Sequence, residues 1–237
     1  MSQRVGVMGG TFDPVHLGHL RAAEVAREKL ELDVLVFVPT ANPPHKHGDQ
    51  ILSFVDRWRM LRFATENHPR FEVSDIEQRM PGKSYTVITL RKLGEIYRGE
   101  VELFFIIGMD AFLELDTWWH FKELFELAHI VVLRRPGYNE HEMAGFLLEK
   151  VSPLYAYGDA EGCFKHPHLS PVHYLDNTWL DISSTHIRQL VTEGKSIRYL
   201  VLPSVMHYIH ENRIYRFEDP PKEESKQHRD NMRIHPE

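Results

Sequence analysis

Two histidines three residues apart, His16 and His19, follow directly on the loop residues Gly9-Gly10-Thr11-Phe12-Asp13-Pro14-Val15. Before the loop, Arg4-Val5-Gly6-Val7-Met8 reads as a short buried strand, which the two glycines and the proline are expected to end. From His16 onward Leu17, Leu20, Ala23, Ala26 and Leu30 recur at spacings of three and four, the period of a helix. Helical positions three apart share a face, so the two imidazoles stack one turn above the other. A strand, a glycine loop and a helix start aim backbone N–H groups at one point, which makes an anion site. With two imidazoles added, a phosphate chain is the natural occupant. Gly18, lying between them, is expected to let a ligand rest against the backbone. The loop has neither the G-x-G-x-x-G of a dinucleotide fingerprint nor the Gly-Lys-Ser/Thr of a Walker loop. Nor does the sequence nearby supply the further ligands that would make a zinc site of the pair.

Other loops carry complementary chemistry. Asn42-Pro43-Pro44-His45-Lys46 is basic and stiffened by two prolines. Trp118-Trp119 is expected to leave at least one indole outside the core, because adjacent residues on a helix cannot both face it. Such a ring can stack on a flat ligand, and on a cationic ring it gains about 1 kcal/mol more. Thr86 opens a helix nearby in this reading. Gly108-Met109-Asp110-Ala111 and Arg134-Arg135-Pro136-Gly137 each follow an apolar run. Ile182-Ser183-Ser184-Thr185-His186-Ile187-Arg188 pairs a capped helix start with an arginine, a second place for phosphate oxygens.

The stretch from Gly9 to His19 resembles the signature of the HxGH nucleotidyltransferase superfamily, and most resembles its nicotinate mononucleotide adenylyltransferase branch. The resemblance covers about residues 4–215. It implies transfer of the adenylyl group of ATP to nicotinate mononucleotide, giving deamido-NAD and pyrophosphate in NAD biosynthesis. By the same resemblance His16, His19, Lys46 and Arg188 serve the transfer. ATP is held by Gly9, Gly10, Thr11, Phe12, His16, His19, Gly108, Asp110, Ile182, Ser183, Ser184, Thr185 and Arg188. Nicotinate mononucleotide is held by Asn42, His45, Lys46, Thr86, Asp110, Trp118, Trp119 and Arg135, with Trp118 over the pyridine ring. Met109 departs from the pattern, which has a small residue there. Mg²⁺ is expected to bridge ATP oxygens with few protein ligands, and no protein metal site is expected. Pantetheine-phosphate and flavin adenylyltransferases share the histidine element; the Trp118-Trp119 and Arg134-Arg135-Pro136-Gly137 segments count against both. A class I aminoacyl-tRNA synthetase would carry a Lys-Met-Ser-Lys-Ser element, which this chain lacks. A non-catalytic nucleotide sensor is disfavoured by the intact histidine pair with Lys46 and Arg188.

The elements that must position these residues alternate between strand and helix. Val34–Pro39, Phe71–Val73, Val101–Ile107 and His129–Leu133 read as strands, and the helical patterns between them predict an α/β doubly wound parallel sheet. In such a sheet ligands bind beyond the carboxyl ends of the strands, where every loop above would gather. The resemblance makes this a Rossmann-like nucleotidyltransferase fold with a small C-terminal helical appendage, helices at about 184–212. Residues 1–216 form the expected domain, with an irregular insertion at about 156–172 and a polar, loosely docked or disordered tail at 217–237. Within the insertion Cys163, His166 and His168, with His173 just beyond, are ligand types at no recognised zinc spacing. Length, 237 residues with 42% hydrophobic content, supports one such domain, and the net charge of −6 argues against broad nucleic-acid binding. A single cysteine and the lack of a long apolar run or a signal-like start lead us to expect a cytosolic chain with no membrane partner. A homo-oligomer is compatible with the sequence.

Overall fold

The computed structural model describes residues 2–42, 51–97, 101–158, 162–178 and 180–215. Its centre is an eight-stranded sheet in the order β3-β2-β1-β4-β5-β8-β7-β6. The strands are β1 Gln3–Gly10, β2 Val34–Pro39, β3 Phe71–Val73, β4 Val101–Gly108, β5 His129–Leu133, β6 Ala156–Gly158, β7 Cys163–Lys165 and β8 Val172–Leu175. The six from β3 to β8 in spatial order run parallel, while β7 pairs antiparallel with both β8 and β6.

Alternation along the central strands divides the core in two. In β4, Leu103, Phe105 and Ile107 face one apolar cluster, and Phe104 and Ile106 face the other. Phe104 is fully buried, which stabilises the fold by roughly 1.5–3 kcal/mol. The first face is covered by α4 Thr86–Ile96, α5 Met109–Leu113, α6 Phe121–Leu127 and α7 Glu140–Phe146. The other is covered by α1 Leu17–Lys29, α2 Phe54–Thr65, α8 Ser184–Thr192 and α9 Pro203–Glu211. A short α3, Ile76–Arg79, follows β3. Among the described residues no helix is long and apolar enough to cross a membrane.

Three expectations need correction. First, β1 does not stop at Met8: Gly9 pairs with Val38 and Gly10 with Pro39. Gly10 is required by packing, because a Cβ there would lie 3.0–3.3 Å from the ring of Phe12. Second, the 156–172 region is not irregular. It holds β6 and β7, and with β8 it lengthens the sheet by three strands. These strands are only three or four residues long and are interrupted or ended by Gly158, Lys165 and His173, so they lack the continuous apolar run that marks β2 and β4. Third, Trp118 and Trp119 are not on a helix; they follow a 3-10 turn, Leu115–Thr117, and Trp118 is extended at φ −84°, ψ 144°.

Candidate active site

The strand order reverses between β1 and β4, and a cavity of about 600 Å³ opens at their carboxyl ends. Gly9, Gly10, Thr11, His16 and His19 form one side of its lining. Gly108, Asp110 and Arg135 reach it from the ends of β4 and β5, and Ile182, Ser183 and Ser184 from the approach to α8. Thr86 and Trp118 line it as well.

His16 is the N-cap of α1, and the two histidines form a reciprocal capping box. His19 N–H donates to His16 Nδ1 at 3.4 Å, and His16 N–H donates to His19 Nδ1 at 3.3 Å. The rings stack with centroids 3.6 Å apart. Because both Nδ1 atoms accept, each neutral imidazole carries its proton on Nε2. Burial and the Arg135 guanidinium lower His16 from its ordinary value to about 4. Burial, then His16 and Arg135, hold His19 well below its ordinary value. Both rings are therefore neutral Nε2–H donors at pH 7 before an anion arrives.

Gly18 has a role the sequence did not suggest. A Cβ there would lie 3.0 Å from His16 Nδ1 and 3.1 Å from Cε1, so the space is taken by the His16 ring itself. The start of α1 is also less open than expected, since Leu17 N–H donates to Leu200 O at 2.9 Å. Phe12 lies beneath the site, 2% exposed, with its ring edge-on to His19 at 5.1 Å. It supports His19 from the core and does not line the cavity.

Asp110 and Arg135 meet at 2.9 Å between Oδ1 and Nε, a charge contact without hydrogen-bond alignment. A Cβ on Gly108 would come within 2.6 Å of that Asp110 oxygen and 3.2 Å of the guanidinium, so a side chain there would push this pair aside. Trp118 packs half-buried against the first core cluster, its ring 6.4 Å from that of Phe105. Trp119 is 46% exposed, rests on Tyr85 at 4.8 Å and lies outside the lining. Thr86 starts α4, whose N-cap Tyr85 makes no side-chain cap, so first-turn N–H groups there have no side-chain acceptor from the cap. Asn42 is tied to the 82–84 turn by Asn42 Nδ2 to Gly82 O at 3.0 Å and does not line the cavity. His45 and Lys46 lie outside the described residues.

The C-terminal segment is fastened to the first loop. Ser183 caps α8 by accepting from His186 N–H at 3.2 Å, and Ser184 Oγ donates to Pro14 O at 2.9 Å. Arg188 donates to Asp13 O at 2.7 Å and to Thr185 Oγ1 at 3.2 Å, so it faces the loop and, like Thr185, is outside the lining. Asp13 is 3% exposed and accepts from Tyr215 Oη at 2.6 Å.

Sequence reasoning missed three polar groups here: Arg57, Glu77 and Thr89, all buried. Arg57 shares the helical face of Met60 and Leu61, and a charge three and four residues from apolar core positions was the available signal. Among the described residues no group of three or more His, Cys, Asp or Glu could hold a metal ion. Of the insertion's candidates, Cys163 is buried, His166 meets Ser152 Oγ at 2.9 Å, and His173 meets His129 at 3.2 Å.

The chain is similar to known proteins in sequence and in fold. The cytidylyltransferase-like family profile matches residues 7–190. A Geobacter metallireducens protein named "Probable nicotinate-nucleotide adenylyltransferase" is 44% identical over 212 residues, covering 90% of this chain and 98% of that protein. A Syntrophotalea carbinolica protein of the same name is 43% identical over 216 residues, covering 91% and 99%. In fold, the chain is similar to the Plasmodium falciparum nicotinic acid mononucleotide adenylyltransferase solved in complex with NaAD. The TM-score is 0.69 at 16% identity, over 90% of this chain and 97% of that one. A histidine-paired cavity at the switch point of a parallel sheet, joined to these likenesses over nine-tenths of the chain, places the protein in the cytidylyltransferase-like family, among the nicotinate-nucleotide adenylyltransferases.

Proposed function

We infer that the protein transfers the adenylyl group of ATP to nicotinate mononucleotide. A phosphate oxygen of the mononucleotide bonds to the α-phosphorus, the α–β bridging P–O bond breaks, and pyrophosphate leaves carrying that electron pair. No protein nucleophile is needed, so catalysis is positioning and charge stabilisation. The observation that carries the reading is the His16–His19 pair, whose Nε2–H groups are set by the capping box and lie in the same cavity as Trp118.

In this reading the two imidazoles donate to oxygens of the α-phosphate as charge builds there. Burial, with Arg135 adding to it, holds both rings neutral, and an arriving triphosphate offsets the Arg135 part. Gly9, Gly10, Thr11, Gly108 and Asp110 border the nucleotide, and Ser183, Ser184, Thr185 and Arg188 receive its distal phosphates once Arg188 turns from Asp13. Asn42, His45 and Lys46 take the mononucleotide phosphate with Arg135. Trp118 stacks on the pyridine ring, while N–H groups near Thr86 and Trp119 receive the carboxylate.

The cavity's carboxylates are already engaged, Asp110 with Arg135 and Glu77 with Thr89 and Ala41. That donor set fits a Mg²⁺ carried mainly by the nucleotide, which would supply positive charge to its phosphate oxygens. We place the reaction in the cytosol, with small nucleotides rather than nucleic acid as partners, given the net charge of −6 and the single cysteine. The test supplies ATP with nicotinate mononucleotide, phosphopantetheine or flavin mononucleotide in turn and measures pyrophosphate. Release with nicotinate mononucleotide is expected; release only with another acceptor refutes the assignment.

A further inference from the structure

Arg57 is the largest fully buried side chain among the described residues, 2% exposed on the inner face of α2. It has no direct carboxylate partner among its hydrogen bonds. Instead its fork spends three N–H groups on three backbone carbonyls from separate segments. Nη1 donates to Thr11 O at 2.7 Å, Nη2 to Thr40 O at 2.8 Å and Nε to Leu52 O at 3.0 Å. Thr11 and Thr40 both line the cavity.

The peptide unit that Arg57 grips at Thr40 is held from its other side too. Its N–H, belonging to Ala41, donates to Glu77 Oε2 at 3.2 Å. Glu77 is 8% exposed, and its other oxygen, Oε1, accepts from Thr89 Oγ1 at 2.8 Å. Thr89 lies one turn along α4 from Thr86, and both line the cavity. The path Thr11, Arg57, Thr40–Ala41, Glu77, Thr89 is therefore continuous, every link a hydrogen bond. It joins the glycine loop beside His16 to the helix beside Trp118.

We propose that Arg57 is a positioning residue that, through the Thr40–Ala41 peptide and Glu77, sets the distance between the two substrate-binding halves of the cavity. Arg57 touches neither substrate. Its planar fork fixes two loop carbonyls in one plane, which a lysine's single ammonium cannot do. Glu77 and Asp13 supply the compensating negative charge around the guanidinium. In-line transfer depends on the separation of attacking oxygen and α-phosphorus, and misplacement by about 1 Å costs on the order of 10² in rate. Apart from Asp110, which borders both, each substrate's contacts lie in one half, so its own binding is largely spared.

This rests on the adenylyl-transfer reading, and wild-type turnover with ATP and nicotinate mononucleotide checks that reading separately in the same assay. The variants are Arg57→Lys and Arg57→Ala, followed by steady-state kinetics for both substrates and by thermal melting. For Arg57→Lys we expect kcat to fall by about 10², with both KM values within about threefold of wild type. For Arg57→Ala we expect a larger fall, partly reversed by millimolar guanidinium, which fills the vacated cavity and donates to the same carbonyls. Wild-type kcat in Arg57→Lys overturns the proposal, as does a loss expressed in one KM alone. Failure of guanidinium to restore folded Arg57→Ala also overturns it. If both variants are unfolded at the assay temperature, Arg57 serves stability only and the proposal fails.

Discussion

Gly18→Ala separates catalytic geometry from stability. The new methyl group would sit 3.0 Å from His16 Nδ1, a few tenths of an ångström too close. His16 cannot retreat cheaply, because His19 stacks on it at 3.6 Å and the core ring of Phe12 stands against His19 at 5.1 Å. The ring must swing, breaking the 3.4 Å contact from His19 N–H. Loss of such a cap costs about 0.5–2 kcal/mol. Replacing glycine by alanine within a helix returns up to about 1 kcal/mol. The net change is about 1 kcal/mol or less, a melting shift of no more than about 4 °C for a domain of this size. Turnover should respond far more, because one misdirected donor at the reacting phosphate costs on the order of 10² to 10³. The assay is pyrophosphate release at saturating ATP and nicotinate mononucleotide, beside a melting curve, with His19→Ala as the reference for losing one imidazole. Turnover within about threefold of wild type would show that the His16 ring position is not what the reaction uses. A collapse in melting temperature instead would show that Gly18 serves the fold.

Trp118→Ala should raise KM for nicotinate mononucleotide by roughly tenfold, a loss of about 1–2 kcal/mol, and leave KM for ATP nearly unchanged; equal weakening of both would make Trp118 a core residue only. Acid should destabilise the protein: His173, held at about 4 by burial and by neighbouring His129 and Arg4, takes up its proton less readily folded than unfolded. The unfolded chain then binds more protons between pH 6.5 and about 4, so stability is lost as pH falls through that window. Melting against pH should show a shallower acid slope in His173→Asn, and an unchanged slope would refute this account. Truncation after Phe217 should leave activity and melting intact, since it keeps Tyr215 and its 2.6 Å bond to Asp13; a large loss of either would mean that the remaining tail is docked.

Local chemistry made much of the protein legible in the sequence. The buried runs of β2 and β4 announce themselves because strands covered on both faces need apolar side chains at every position. The loop after β1, the His16–His19 spacing and the Ser183 cap are likewise written in neighbouring residues, whose geometry follows from helix and turn periodicity. Sequence also indicated that the loops ending β1, β4 and β5 meet, because parallel strands place successive carboxyl ends on one edge.

What tertiary structure decided concerns groups whose partners are distant in the chain. The polarity of β8 hid a strand that exists because β5 offers it an edge at Ile130–Leu133. The neutral state of the two histidines depends on burial and on Arg135, more than a hundred residues away. Gly18 reads as open space until the His16 ring is seen filling it. Arg57 looks like an ordinary helix charge until α2 turns it inward to three carbonyls, two of them 46 and 17 residues away. A buried guanidinium is tolerable only where such acceptors converge, and convergence of that kind is a property of packing that no local stretch of sequence contains.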